Sequence, residues 1–345
     1  MSIVITIAAS IVVFGLIILV HELGHFLAAR WSGIKVNEFA IGMGPAILKK
    51  EKNGTLYALR LLPIGGYCAM EGENEQSDDA HAFGNAPLGK RILVIISGAM
   101  LNLVLGFIVM VILTASRDLI PTRTIHSFVD NSVTEASGLQ VGDTLVAING
   151  RNMFCSDDIF YELVRIKNQH ADVVVLRDGK RVLLKQVEFN VAESDDGINE
   201  IRQDFFLLGI SQKNVFNVTK EAALNTVSIT RLIFVSLLDL FTGNVPINQL
   251  SGPIGIMEVI GQAAMVSMTS LLYILAVITI NLGAMNILPF PALDGGRLLI
   301  LIIEIFTKKR MNPKYEGYIH AAGFVILIVL MLFVTYSDIT KLFRK

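Results

Sequence analysis

The chain has 345 residues, 53% hydrophobic and 17% charged, with a net charge of −1 and a mean hydropathy of +0.59. A soluble domain carries roughly 25% charged residues, so this composition excludes an ordinary soluble enzyme and a disordered tail alike. The charge balance leaves no basic surplus for nucleic acid, and two cysteines are too few for a disulfide-stapled scaffold.

A bilayer core about 30 Å thick needs roughly 20 apolar residues of helix. Residues 1–30 supply the first span: Ile3 to Val20 carries no charge, and the apolar run resumes after Glu22. This segment lacks the basic start and small-residue cleavage site of a signal peptide. Residues 34–70 then carry Gly42-Met-Gly44-Pro45, Asn53-Gly54 and Pro63-Ile-Gly65-Gly66. Asn-Gly between apolar stretches signals a β-hairpin. On the residues alone it is either a surface hairpin or one that dips toward the membrane, where its backbone must be buried or line a wet cavity. The second span is expected over residues 92–115.

Residues 122–212 have a soluble composition with short strand-like runs, a helix over Asp157 to Ile166 and a turn at Asp178-Gly179. They read as an inserted α+β domain. Within residues 222–268, the stretch Ala222 to Phe241 is apolar but interrupted by Arg231 and Asp239. That pattern suits an interfacial helix better than a fifth span. Ser251-Gly-Pro-Ile-Gly255 breaks the chain before a second, weakly amphipathic helix. The third span covers 271–304 and the fourth 320–337. The expected fold is a polytopic α-helical membrane protein: four transmembrane helices, a β-hairpin region and an inserted α+β domain.

Basic residues mark cytoplasmic loops. Arg30, Lys35, Lys49, Lys50, Lys52, Arg60, Lys90 and Arg91 follow the first span; Lys308, Lys309, Arg310 and Lys314 follow the third. The α+β domain then lies outside. Lys341, Arg344 and Lys345 in the tail disagree, one segment against two loops. Cys68 and Cys155 fall on opposite sides, so no disulfide is expected.

The chemistry lies in His21-Glu22-Leu-Gly-His25. On a helix the two histidines share a face and can reach one metal, and Glu22 can hold a water. Ionisable residues near the end of a spanning helix are costly and usually functional; the plainer reading is that they cap the helix at the interface. Catalytic zinc takes three protein ligands. The best third ligand is Asp294, inside Asn286-Ile-Leu-Pro289-Phe-Pro291-Ala-Leu-Asp294-Gly295-Gly296. Pro289 and Pro291 cannot continue a helix ladder, so the third span unwinds there. Asp294 as a cap of the next half-helix is the alternative. Asn286 can donate to a substrate carbonyl. Two histidines and a carboxylate also suit iron. His81, His126 and His170 read as solvated surface residues, and His320 as an interfacial one. A scaffold or transporter would need no metal and would tolerate loss of Glu22.

These motifs resemble the site-2 protease family of intramembrane zinc metalloproteases, in its bacterial RseP-like branch. The resemblance covers essentially the whole chain. It runs through His21 to His25, Gly42 to Pro45, Asn286 to Gly296 and the order of the four spans. Gly138-Leu-Gln-Val-Gly-Asp143 and Ile148-Asn-Gly150 resemble a single PDZ domain. The resemblance implies Zn2+ bound by His21, His25 and Asp294, with Glu22 as base. Asn286, Gly42, Gly44, Pro289 and Pro291 become the candidates for substrate contact or oxyanion support. It further implies a membrane-associated hairpin near the substrate and a bacterial cytoplasmic-membrane location with the site toward the cytoplasm. The implied substrates are single-span membrane proteins, such as anti-sigma factors or signal-peptide remnants. The PDZ-like domain would bind them or filter them by size.

Overall fold

The computed structural model describes residues 3–73, 75–166, 168–192, 200–202, 204–210, 214–242 and 252–344. Parts of the expected α+β domain (167, 193–199, 203 and 211–212) and residues 243–251 of the expected interfacial region, which include Ser251 of the expected breaker, lie outside the described residues.

In chain order the elements are α1 (Ile3–Ser32), β1 (Val36–Lys52), β2 (Thr55–Met70), α2 (Leu88–Ser116), β3 (Ile120–Phe128), α3 (Val133–Ala136), β4 (Thr144–Ile148) and β5 (Arg151–Asn152). There follow α4 (Ser156–Val164), β6 (His170–Arg177), β7 (Lys180–Glu188), β8 (Val191–Ala192), β9 (Glu200–Ile201) and β10 (Phe205–Ile210). The chain closes with α5 (Val215–Phe241), α6 (Pro253–Val266), α7 (Met268–Ile287), α8 (Asp294–Thr307) and α9 (Pro313–Arg344). Met1–Val109 with Ile233–Lys345 form one compact unit, and Met110–Leu232 form another. Among the described residues α1, α2, α5, α7 and α9 are long and apolar enough to cross a membrane.

In the first unit, α1 buries Val13, Ile17, Gly24 and Ala28 on one stripe and leaves Ile3, Val4, Ile11 and Val12 exposed. Apolar residues outside, with small Gly24 and Ala28 among those inside, match the packing mode of helices in lipid, where close approach replaces the hydrophobic drive. A side chain at Gly24 would run into the Ser97 carbonyl and lie 2.9 Å from Gly98 Cα, so α1 and α2 meet at backbone distance. The Ser97 hydroxyl donates to Gly24 O at 2.9 Å across this contact.

The long hairpin strands are bent where Gly42 and Gly44 take φ of 86° and 84°, a region costly for other residues. A Cβ at Gly42 would strike the Leu62 carbonyl. Each strand therefore appears twice in one curled sheet. Residues 36–41 pair with 66–70 on one side (Ile41 with Gly66) and with 56–59 on the other (Phe39 with Tyr57). The segment around Leu48 to Lys52 completes the far edge by pairing back on Leu59 to Thr55. Phe39, Cys68 and Met70 of this sheet share a core with Ala28 and Ala29 of α1, Val94 of α2 and Leu301 of α8.

The third expected span is two helices. α7 ends at Ile287, residues 288–293 turn, and α8 starts at Asp294. Gly295 and Gly296 are pressed onto the carbonyls of Leu288 and Phe290, leaving no room for a Cβ. Two ion pairs clamp α8: Arg91 to Glu304 at 3.0 Å, and Arg297 to Glu73. The loop carrying Glu73 is braced by Glu71, whose carboxylate sits below its usual pKa because Asn37 and Ser77 donate to it.

The second unit is built on a sheet with strand order β10-β3-β4-β6-β7, with β5 on β4. Its core holds Ile125, Leu145, Ile148, Ile159, Val173 and Val175. Asp158 of α4 is fully buried. It accepts from Phe154 N–H at 2.6 Å and from the Ser228 hydroxyl, and pairs with Arg231 at 2.9 Å. Ser228 and Arg231 belong to α5. Arg231, one of the two charges that interrupt 222–241, thus pairs with the α+β domain, and α5 is one helix of 27 residues. Asp158→Ala should strip this anchor at a cost of about 2–3 kcal/mol. Thermal unfolding should fall, with earlier proteolysis within α5.

Candidate metal centre

His21 and His25 lie one turn apart on α1, with ring centroids 4.8 Å apart and planes at 87°. Their Nε2 atoms are 3.3 Å apart. Each is also 3.3 Å from Asp294 Oδ2. A tetrahedral zinc with bonds of about 2.0–2.1 Å holds its donors roughly 3.3–3.4 Å apart, so the triangle fits the ion. Asp294 Oδ2 is buried without a hydrogen-bond partner, a costly state for a carboxylate oxygen that a cation relieves. Among the described residues this is the one group of three such donors.

The outer ring nitrogens set the tautomers. His25 Nδ1–H donates to the Val94 carbonyl at 2.8 Å, so its Nε2 lone pair faces the other donors. Gly98 makes this possible, because any side chain there would strike the His25 ring. His21 Nδ1 faces the Asn102 amide at 3.5 Å. Asn102 is fully buried and its Oδ1 has no partner. Turning the amide so that Oδ1 accepts from His21 Nδ1–H satisfies both groups and gives His21 the same tautomer.

Glu22 follows His21 on α1. Its Cγ lies 3.1 Å from the place a Cβ would take on Gly66, so the 66–70 edge of the sheet passes close against Glu22. The ionisable groups around Glu22 are the His25 and His21 imidazoles and the Asp294 and Glu73 carboxylates. On its other side the 66–70 segment has no strand among the described residues.

The structure thus brings His21, His25 and Asp294 together, with Glu22 beside them. Asn286 is buried in the last turn of α7. Pro289 and Pro291 lie in the 288–293 turn, while Gly42 and Gly44 bend β1; none of the five is a member of the donor triangle. His81 Nδ1 lies 3.0 Å from the Gly33 carbonyl, and His170 Nδ1 lies 2.5 Å from the Asn168 carbonyl. Asn102 lies outside the sequence motifs. Its signal is there: an amide in an otherwise uncharged span must find a partner.

The pattern of peptidase family M50 matches residues 9–330. A putative zinc metalloprotease of Clostridium acetobutylicum is 34% identical, over 96% of this chain and 97% of its own. One from Campylobacter jejuni is 32% identical, over 97% and 93%. The regulator of sigma-W protease RasP of Bacillus subtilis is 30% identical, over 98% and 99%. The chain belongs to peptidase family M50, and it is a multi-pass membrane zinc metalloprotease.

Proposed function

We propose that this protease cuts single-span membrane proteins within or beside their transmembrane helix, with His21, His25 and Asp294 as zinc ligands and Glu22 as proton carrier. The observation that carries the reading is the 3.3 Å donor triangle set on two apolar helical segments. Zinc held there supplies Lewis acidity toward a peptide carbonyl and makes water more acidic. Glu22 takes a proton from the attacking water and hands it to the leaving amine. Asn286 donates to the carbonyl oxygen as negative charge gathers on it.

The four spans of the proposal are α1, α2, α7 with α8, and α9. The basic loops after α1 and α8 face the cytoplasm of a bacterial cell, and the PDZ-like domain lies outside. The relative named as a sigma-W regulator supports a regulatory substrate such as an anti-sigma factor; signal-peptide remnants are a second class. A substrate helix must open before it is cut, and exposed backbone in lipid costs several kcal/mol per unsatisfied group. The free edge at 66–70, beside Glu22, offsets this by pairing with the opened strand.

Glu22→Gln should lower cleavage of a single-span substrate by at least about 100-fold with zinc retained; Asp294→Ala should lose the zinc, measured by metal analysis. Normal cleavage by the first overturns the mechanism, and full zinc in the second overturns the ligand set. Proline placed singly across 66–69 should impair cleavage where it removes an outward N–H, at constant zinc content. Full activity throughout would sink the pairing. Deleting 122–212, with Arg231→Leu to remove the stranded charge, separates two roles for the outer domain. A size filter predicts cutting of substrates with bulky outer portions, and a receptor predicts loss of cutting.

A further inference from the structure

Six residues, 288–293, deliver Asp294 to the histidines, and their shape is unusual. Ala292 has φ of 77°, which a residue with a Cβ rarely adopts. Internal bonds from Leu293 N–H to Phe290 O (3.1 Å) and from Gly296 N–H to Leu293 O (3.0 Å) shape the turn. They do not fix it to anything else. That link comes from α9. Ala292 N–H donates to His320 Nδ1 at 3.0 Å. One turn on, Gly323 lies so close to Pro291 that a Cβ there would meet the proline ring and carbonyl. His320 Nε2 is buried and has no partner. The imidazole therefore acts here as an acceptor through Nδ1, which requires the neutral Nε2–H tautomer.

We infer that His320 is a positioning residue for Asp294: its Nδ1 holds the left-handed turn at Ala292 against α9 and so aims the carboxylate at His21 and His25. The inference rests on Asp294 being a zinc ligand. Outer groups that orient ligands typically change metal affinity by about 10–100-fold when lost. The side chain that replaces His320 decides the matter. Asn puts an oxygen where Nδ1 was, Phe keeps the ring volume without an acceptor, and Gln puts its amide near the Nε2 position instead.

The test uses the full-length, zinc-loaded protein in detergent and reads zinc transfer to a chelator, with cleavage alongside. H320F should release zinc about 10-fold faster than the parent, while H320N stays within about threefold of it. Adding Ala292→Gly to H320F should recover part of the loss, because glycine takes positive φ without strain. Where H320F does not fold, H320N against H320Q decides the same point, with faster release expected for H320Q alone. Parent-like release by H320F, or equal release by H320N and H320Q, overturns the inference. Asp294→Ala is run in parallel. If it keeps its zinc, the ligand assignment itself fails; if it loses zinc while H320F does not, only the role of His320 fails.

Discussion

The backbone contact between α1 and α2 at Gly24 and Gly98 is what the centre depends on. Two helices with larger residues there would stand apart by a side-chain diameter. At backbone distance the His25 ring lies flush on α2, and its Nδ1–H reaches a main-chain carbonyl that α2 does not need to expose to water. The same approach brings Asn102, one turn beyond Gly98, up to His21. Both imidazoles are then held in one tautomer by partners from a single neighbouring helix, in surroundings where a polar group without a partner costs several kcal/mol.

The second half of the centre follows from a different constraint. A continuous helix through residues 271–304 would leave Asp294 as an ordinary helical side chain. The prolines stop α7, and the Gly295-Gly296 pair lets α8 restart pressed against the carbonyls just left behind. Asp294 is thus the first residue of a helix, at the tip of a fixed turn. Arg91 and Glu73 hold α8 from the α2 side and from the hairpin loop. The hairpin, bent at Gly42 and Gly44, lays the edge that holds Gly66 beside Glu22. Each element that touches the triangle is set by a glycine, a proline or an ion pair on top of the apolar core that these elements share.

That division explains what could be read in advance. The His21 and His25 spacing is a local property of a helix, and a carboxylate next to two prolines in an apolar run is a local anomaly, so the histidine pair and Asp294 stand out from the sequence. The partners of those residues do not, because they depend on which faces meet. Asn102 and His320 are single polar residues on other helices, and nothing in their own neighbourhoods points to His21 or to Ala292. The doubled strand pairing of 36–41 was hidden for a similar reason: one Asn-Gly turn predicts one hairpin, while the bend that folds it over sits eleven residues earlier in the chain at Gly42. The partner of Arg231 is equally out of local view, because the buried Asp158 that pairs with it lies 73 residues away in sequence.

The central claim is that zinc sits on two imidazoles and one carboxylate at the point where α1 meets the start of α8. Cys68, in the edge strand that passes Glu22, is a rival donor by its chemistry, as a thiolate ligand. X-ray absorption at the zinc edge of the purified protein tests the claim directly. The account predicts a first shell of nitrogen and oxygen at about 2.0–2.1 Å with outer-shell scattering from two imidazoles. A sulfur at about 2.3 Å, or scattering from fewer than two imidazoles, would contradict it.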